Sequence, residues 1–178
     1  MTTSARRPVV HLLAGYNGAG KTTYAKELEI STGGVRFSLD EWMLRLHPDL
    51  RFDSEGYGVS AEACKQLIWN VAKKFLEHGV DVILDWNQWS RDRRKTWLIA
   101  SIDAGFQARL HYLQVPLETA LRQSERRSAM NTAGSHRLPA EDVRHLAAIF
   151  EHPTTAEGMP LIVVTRLATA PATLGRER

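Results

Sequence analysis

The chain has 178 residues, a length typical of one ordinary domain with its own core. A composition of 43% hydrophobic and 24% charged residues excludes a largely disordered chain, and a formal charge of +3 is too small to indicate nucleic acid by itself. The segment from Met1 to Arg7 lacks the apolar core of a signal peptide, and no segment approaches the ~18 apolar residues of a membrane span. We therefore expect a cytoplasmic protein without membrane partners.

The first predicted unit is a buried strand from Pro8 to Ala14, a glycine-rich turn, and a helix that ends near Ile30. The turn fits the phosphate-binding P-loop, in which glycines let backbone N–H groups surround a polyphosphate at a helix N-terminus; a chance glycine-rich turn is the alternative. Lys21 is expected to reach the β- and γ-phosphates, and the Thr22 hydroxyl to hold Mg²⁺. The predicted nucleotide-binding residues are Gly15, Asn17, Gly18, Ala19, Gly20, Lys21, Thr22 and Thr23.

Two carboxylates follow the next two predicted strands. Val35 to Leu39 ends at Asp40, and Val80 to Asp85 ends in an acid of its own. Ligands of open α/β sheets bind at the carboxyl ends of the strands, so both acids are candidate site residues. Asp40 either accepts the proton of a phosphoryl acceptor or caps a helix. Asp85 either serves Mg²⁺, as in a Walker B segment, or is a turn residue.

The remaining pattern alternates helices with two further strands. Arg45 to Val59 is predicted to be an irregular connection, after which Ser60 caps a helix ending at Gly79. A helix capped by Ser90 runs to Ala104. The helix near Pro139 precedes the last strand and a frayed tail over 168–178. The last two strands are predicted at Ala108 to Val115 and Leu161 to Val164. For the helix after Ser60, the apolar positions at helical spacing predict a buried face formed by Leu67, Ile68, Val71, Ala72, Phe75 and Leu76. Five alternating strands predict a mainly parallel sheet with helices on both faces, in one domain over 1–178.

A polar helix from Leu117 to about Met130 carries three arginines. Arg122 and Arg126 lie four residues apart and share a helix face, with Arg127 beside them. They either clamp phosphates or belong to a solvated charged face.

These segments, together with "VILDWNQWSRDRR" from Val82 to Arg94 and "FEHPTTAEG" from Phe150 to Gly158, resemble a bacterial AAA-type family of small kinase-like ATPases. That family is similar to polynucleotide 5′-kinase, chloramphenicol phosphotransferase and the zeta toxins. The resemblance implies a P-loop kinase fold with strand order 2-3-1-4-5 and a short arginine-bearing lid at about 117–137. It also implies a catalytic base after strand two, and an arginine three residues later, where this chain has Met43.

The resemblance implies roles for individual residues. Asp40, Lys21 and Arg126 are expected to be catalytic, and Arg122, Arg126 and Arg127 to contact ATP. The expected substrate contacts are Asp40, Arg45, Trp86, Arg91 and Arg94, of which Arg45 is the nearest substitute for the missing arginine. For Arg91 and Arg94 ordinary surface charge is the alternative. Aromatic stacking by Trp42, Trp86 and Trp89 competes with burial in the core.

The leading functional hypothesis is an ATP-dependent kinase that phosphorylates a hydroxyl of a nucleoside, sugar or antibiotic, with ATP and Mg²⁺ as cofactors. Adenine nucleotide is favoured because the chain has no Asn-Lys-X-Asp motif for guanine. A polynucleotide 5′-hydroxyl is the alternative acceptor; nucleic acid is not favoured, because the net charge is modest. A nucleotide-dependent regulator or toxin-like ATPase with a protein partner is the rival class. The histidines show no metal-ligand pairing, so His11 and His111 are expected to be hydrogen-bonded strand residues.

Overall fold

The protein is built on a five-stranded parallel sheet in the order β2-β3-β1-β4-β5. A computed structural model describes residues 6–51, 53–129 and 140–165. The strands are β1 (Val9–Ala14), β2 (Val35–Ser38), β3 (Val82–Asp85), β4 (Gln107–Gln114) and β5 (Leu161–Thr165). The expected strand order and parallel sheet are therefore confirmed.

Strand β1 lies at the centre of the sheet and is buried along its whole length. It pairs with β3 through Leu12 and Leu84, and with β4 through Leu12 and Leu110. A central parallel strand is covered on both faces, which explains the near-continuous apolar run in its sequence. Because all five strands are parallel, the loop after Ala14 and the end of β3 at Asp85 meet at the carboxyl edge of the sheet.

The six α-helices of the described ranges are α1 (Lys21–Thr32), α2 (Leu39–Leu46), α3 (Glu55–Glu77), α4 (Arg91–Asp103), α5 (Leu117–Ala129) and α6 (Ala140–Ala148). Helices α1, α3 and α4 pack on the sheet, while α2 packs on α3 and α6 on α5. Side chains of a strand alternate between its faces. Leu13 and Ile83 accordingly pack on Ala25 of α1. Leu12 and Leu84 point the other way, into a larger core cluster that α3 and α4 complete. None of the described helices has both the length and the apolar character that a membrane crossing needs.

Helix α3 corrects two expectations from the sequence. It begins at Glu55, so Gly56 and Gly58 lie inside it and Ser60 is not its cap. Leu67 and Val71 are 57% and 42% exposed. Ile68, Ala72 and Leu76 are buried as predicted. The full set of buried positions is Tyr57, Ala61, Cys64, Lys65, Ile68, Trp69, Ala72 and Leu76. The buried face therefore overlaps the predicted one, but it is rotated away from Leu67 and Val71 toward Cys64, Lys65 and Trp69.

Other boundaries agree with the sequence to within a few residues. The Ser90 side chain accepts a hydrogen bond from the Arg93 N–H and caps α4, as expected. The last strand extends one residue further than predicted, to Thr165. The predicted lid at about 117–137 includes α5, but its part from 130 onward lies outside the described residues, as does the predicted tail over 168–178.

A buried polar chain crosses the α1 side of the sheet. His11 Nδ1 lies 2.8 Å from His111 Nε2, and His111 Nδ1 lies 2.8 Å from the Tyr24 hydroxyl. His11 Nε2 is 3.1 Å from Asp81, which also pairs with Arg6. Burial lowers the pKa of both histidines, that of His111 to about 3. Both are hydrogen-bonded strand residues, as the sequence suggested.

Candidate nucleotide-binding and catalytic site

The loop between β1 and α1 has the backbone geometry of an anion cradle. Gly15, Gly18 and Gly20 all have positive φ, at 146°, 88° and 89°. Such angles favour glycine, and they let the loop turn sharply into α1. Gly20 occupies the N-cap position of α1 without a side-chain cap, so the first N–H groups of the helix have no capping side chain. Unsatisfied N–H groups and the helix dipole together attract a phosphate.

Helix α5 packs directly on this loop. A Cβ atom on Gly18 would lie 2.1 Å from the Ala120 carbonyl oxygen, a distance no side chain can adopt. Ala120 and Ser124 of α5 are buried at this contact. A solvated charged face was one alternative for this polar helix, but the face of α5 that carries Ala120, Leu121 and Ser124 is buried. That face carries the polar helix against the phosphate-binding loop.

The P-loop lysine is held at the centre of the loop. Lys21 Nζ donates hydrogen bonds of 2.9 Å to the carbonyl oxygens of Gly15 and Tyr16. Burial lowers the pKa of Lys21 to about 8, opposed by the charges of Asp85 and Asp40 and reinforced by that of Arg127. Two predicted acids and one predicted arginine therefore act electrostatically on the same amine.

Asp85 joins the P-loop helix to strand β2. The Thr22 hydroxyl donates to Asp85 Oδ1 over a long 3.4 Å, and Arg36 Nη1 donates to Asp85 Oδ2 at 2.9 Å. The second Nη of Arg36 donates to Glu41 at 2.6 Å. Burial raises the pKa of the Asp85 carboxyl, against the lowering effect of Arg36. Arg36 thus holds the Asp85 carboxylate in place, and this residue was not identified from the sequence. The one sequence feature that could have indicated it is the charged Arg36 between the apolar residues Val35 and Phe37 of a short strand.

Thr22 and Asp85 fit a magnesium ion that is only partly held by protein. Both supply hard oxygen atoms, and Mg²⁺ is commonly bound by one or two carboxylates, substrate phosphates and water. No cluster of three or more histidine, cysteine or acidic side chains in the described ranges is suited to a metal.

Asp40 lies in the first turn of α2, where Ser38 is the N-cap. The Ser38 hydroxyl accepts from the Glu41 N–H, so Ser38 and not Asp40 caps α2. The charge of Asp40 acts on Lys21 and also helps to raise the pKa of Tyr57 on α3. Helix α2 also borders an open cavity of about 740 Å³, lined by Glu41, Trp42, Leu44, Arg45 and Leu46. The predicted base and the predicted anion contact Arg45 therefore share one short helix beside a cavity.

The three arginines of α5 are not equivalent. Arg127 is half-buried and lies three residues after the buried Ser124, on the face that packs against the P-loop. Arg122 and Arg126 are exposed, and Arg122 donates to the Thr119 hydroxyl at 3.2 Å. Arg127 is the one whose charge acts on Lys21. Arg127 thus lies on the buried side of α5, whereas Arg122 and Arg126 lie on its exposed side. The spacing of the three arginines did not show which side is buried.

The predicted substrate contacts beyond β3 lie elsewhere. Trp86 is buried, with its ring centroid 5.0 Å from that of Trp97 in the core. Arg94 is 0% exposed, and its guanidinium bonds Glu157 at 2.6 and 2.7 Å. Arg91 is exposed at the start of α4, and its backbone N–H donates to Glu151. None of these three lines the cavity beside α2 among the described residues, and the partners of Arg94 give it a bracing role instead.

A glycine-rich loop after the central strand of a parallel 2-3-1-4-5 sheet, with acids at the ends of neighbouring strands, defines a P-loop kinase-like protein. A sequence profile of the AAA domain matches residues 10–153, and the chain belongs to that family. No curated protein matches the chain significantly in sequence.

Solved structures show the same fold at low identity. A presumed kinase from Chloroflexus aurantiacus J-10-fl is 17% identical with a TM-score of 0.70, over 90% of this chain and 89% of that one. Kti12 from Chaetomium thermophilum, in complex with ADP-AlF3, is 20% identical with a TM-score of 0.64, over 89% of each chain. The APS kinase CysC of Mycobacterium tuberculosis, in complex with AMPPNP and APS, is 17% identical with a TM-score of 0.59, over 89% of this chain and 88% of that one. At these identities the likeness establishes the fold alone.

Proposed function

We propose that this protein is an ATP-dependent phosphotransferase that moves the γ-phosphoryl group of ATP to a hydroxyl of a small molecule. The observation that carries the proposal is the contact of the P-loop helix with Asp85, in which the Thr22 hydroxyl lies 3.4 Å from Asp85 Oδ1 beside the glycine-rich loop. The charges of Asp40, Asp85 and Arg127 also influence the pKa of the neighbouring Lys21. Phosphoryl transfer needs positive charge on the phosphates, a site for a metal and a base for the acceptor. These residues offer all three at one edge of the sheet.

Each residue has a distinct role in the proposed reaction. Lys21 and the N–H groups of the loop bind the phosphates, and Thr22 and Asp85 hold Mg²⁺, which supplies charge to the β- and γ-phosphates when it is bound. Asp40 accepts the proton of the acceptor hydroxyl. Arg127, in place of Arg126, neutralises charge on the transferred group, because its helix face is turned to the P-loop.

The bonds of the proposed step balance. The acceptor oxygen forms a bond to the γ-phosphorus, and the bond from that phosphorus to the β,γ-bridging oxygen breaks. ADP leaves with the electron pair of the broken bond, and Asp40 takes the acceptor proton. Arg36 keeps Asp85 oriented through the 2.9 Å hydrogen bond, so it acts as a positioning residue.

A small acceptor is favoured over a polynucleotide end. The cavity beside α2 has a volume of about 740 Å³, which falls within the ~300–1,000 Å³ usual for small-molecule pockets. Its charged lining residues, Glu41 and Arg45, have opposite signs, whereas a strand-binding channel is lined by positive charge. Binding of ADP-AlF3 by Kti12 and of AMPPNP by CysC supports ATP as the donor.

The test is an ATP-consumption screen over nucleosides, sugars, hydroxylated antibiotics and oligonucleotides, with mass spectrometry for a product heavier by one phosphoryl group. Asp40→Asn should then lower turnover by ~10²–10⁴ while leaving Mg·ATP binding near normal, because the amide cannot accept a proton. Asp49→Asn, at an exposed acid beyond α2, is the matched control and should behave as the parent.

Three outcomes would contradict the proposal. If Asp40→Asn transfers phosphate at the parental rate, this chain has no base at the proposed position. If nucleotide binds but no acceptor is phosphorylated, the protein is a nucleotide-dependent regulator. A product found only with oligonucleotides would replace the small acceptor by a polynucleotide end.

A further inference from the structure

A second cavity lies between α3 and α4, beyond the carboxyl end of β3. It has a volume of about 230 Å³. Helix α3 lines it with Glu62 and Lys65, α4 with Arg93 and Trp97, and the connection between β3 and α4 with residues 86–88. Strand alternation turns these residues away from α1, because Leu84 and Trp86 belong to the core cluster on the α3 side. None of its described lining residues belongs to the P-loop or to the lining of the cavity beside α2.

Unpartnered polar atoms are concentrated at this cavity. Six buried side-chain nitrogen or oxygen atoms in the described ranges have no hydrogen-bond partner. Four of the six belong to lining residues: Trp86 Nε1, Asn87 Oδ1, and both Nε2 and Oε1 of Gln88, whose side chain is 0% exposed. Buried polar groups in proteins are nearly always hydrogen-bonded, because an unmade bond costs free energy. A bound molecule that supplies the missing partners accounts for this concentration.

The wall that carries these atoms is braced. Arg94 Nη1 donates to the Gln88 carbonyl oxygen at 3.0 Å, while the rest of its guanidinium is bound by Glu157. The Glu151 N–H donates to the Trp89 carbonyl oxygen at 2.9 Å. The backbone of Gln88 and that of the next residue, Trp89, are thereby each held by one hydrogen bond. Gln88 belongs to the lining of the cavity, and its buried amide has no hydrogen-bond partner.

The charges around the cavity neutralise one another. Lys65 is 5% exposed, and its Nζ donates to Glu62 at 2.6 Å. Arg93 lies 3.7 Å from the same carboxylate oxygen and also stacks over Trp89 at 5.1 Å. Asp92 supplies the second negative charge of the lining. Because the cations already have partners, the cavity offers a ligand neutral hydrogen-bonding groups and little net charge.

We propose that this cavity binds a neutral, hydroxyl-rich molecule of about the size of one sugar ring. A hydroxyl both donates and accepts, which matches the indole N–H of Trp86, the oxygen of Asn87 and the two-sided amide of Gln88. The buried rings of Trp86 and Trp97 give the cavity an apolar wall suited to the C–H face of such a molecule. The cavity is smaller than the usual ~300–1,000 Å³ of ligand pockets, which limits the ligand to a small one.

Binding of glucose, galactose and myo-inositol to the full chain, without ATP, tests the proposal by calorimetry and saturation-transfer NMR. Glucosamine and gluconate, which add a charge to a similar skeleton, serve as charge controls. We expect at least one neutral compound to bind saturably. We expect its charged analogue to bind at least about tenfold more weakly. Millimolar concentrations are used, because concentrated sugars stabilise proteins by exclusion from their surface.

Gln88→Leu removes the unpartnered amide at similar volume and should weaken binding by about tenfold or more, since it deletes two hydrogen-bonding atoms. Gln66→Leu, at an exposed position of α3, is the matched control and should bind as the parent. Asn87→Ala provides a second variant if Gln88→Leu does not fold. Asp40→Asn should bind the ligand normally, so failure of the phosphotransferase proposal and failure of this one are distinguishable.

The proposal is overturned if no neutral compound binds saturably, if gluconate or glucosamine binds more tightly than glucose, or if Gln88→Leu and Asn87→Ala bind as the parent does. A Gln88→Leu protein that is more stable than the parent, in the absence of any saturable ligand, would identify a water-filled structural cavity. If ATP converts the bound compound to its phosphate, the cavity recognises the acceptor itself.

Discussion

The pKa of Lys21 makes a quantitative prediction about nucleotide binding. In the ligand-free protein the amine has a pKa of about 8, chiefly because it is buried, against an ordinary value of 10.5. A bound triphosphate favours the charged amine and raises that pKa. Nucleotide binding should therefore take up a proton above pH 8. For a pKa of about 8, the protonated fraction of the free protein falls about eightfold between pH 7.5 and 9.0.

The affinity for Mg·ATP should fall by about the same factor over that range, since the uncharged lysine binds phosphate poorly. Calorimetry in two buffers of different ionisation enthalpy at pH 8.5 should give an uptake of about 0.8 proton per nucleotide bound. Lys21→Arg keeps its charge at all these pH values and should give a flat profile, whatever its absolute affinity. Lys26→Arg, at an exposed position of α1, should retain the parental decline.

A parental affinity that does not change between pH 7.5 and 9.0 would refute this reasoning, because it would mean that Lys21 stays charged in the free protein. An equally steep decline in Lys21→Arg would assign the titration to another group. In either case the buried lysine is not the proton acceptor.

Two further predictions follow from the arginine helix and from the buried histidines. Arg127→Ala should lower kcat by ~10-fold or more with the fold intact, and Arg126→Ala much less; equal losses in the two variants would return the role to the whole helix. Because burial lowers the pKa of His111 to about 3, its contribution to the free energy of unfolding is complete above pH 6.5 and is lost as the pH falls; the loss is about 2 kcal/mol at pH 5. Urea unfolding at pH 7.5 and 5.0 should show a smaller pH effect in His111→Gln than in the parent or in the exposed-site control His47→Gln. An unchanged effect would contradict the neutral buried pair with His11.

The sequence by itself determined the sheet and the location of the phosphate site. Apolar runs mark the strands because parallel strands are buried on both faces, and the glycines of the P-loop are required by backbone angles that other residues avoid. Asp85 could be named as a candidate site residue because a carboxylate that directly ends an apolar strand is unusual in a sequence. Local chemistry fixes these features, so the order of residues is enough to find them.

Only the tertiary structure decided which members of a periodic set face inward. Arg122, Arg126 and Arg127 are equivalent in spacing arguments, but the packing of Ala120 on the backbone of Gly18 turns Arg127 toward the P-loop. In the same way, α3 buries the face that includes Ile68 and leaves Leu67 exposed. The face of a helix that is buried depends on its rotation against the sheet, which no single helix encodes.

Long-range pairs were likewise beyond the sequence. Arg94 was expected at a substrate and is instead bound by Glu157, which lies 63 residues along the chain. Arg36 reaches Asp85 because β2 and β3 are neighbours in register, with Ser38 beside Asp85. A guanidinium can bind a substrate anion or a protein carboxylate with the same chemistry. The topology of the sheet decides between them, because it determines which carboxylate lies within reach.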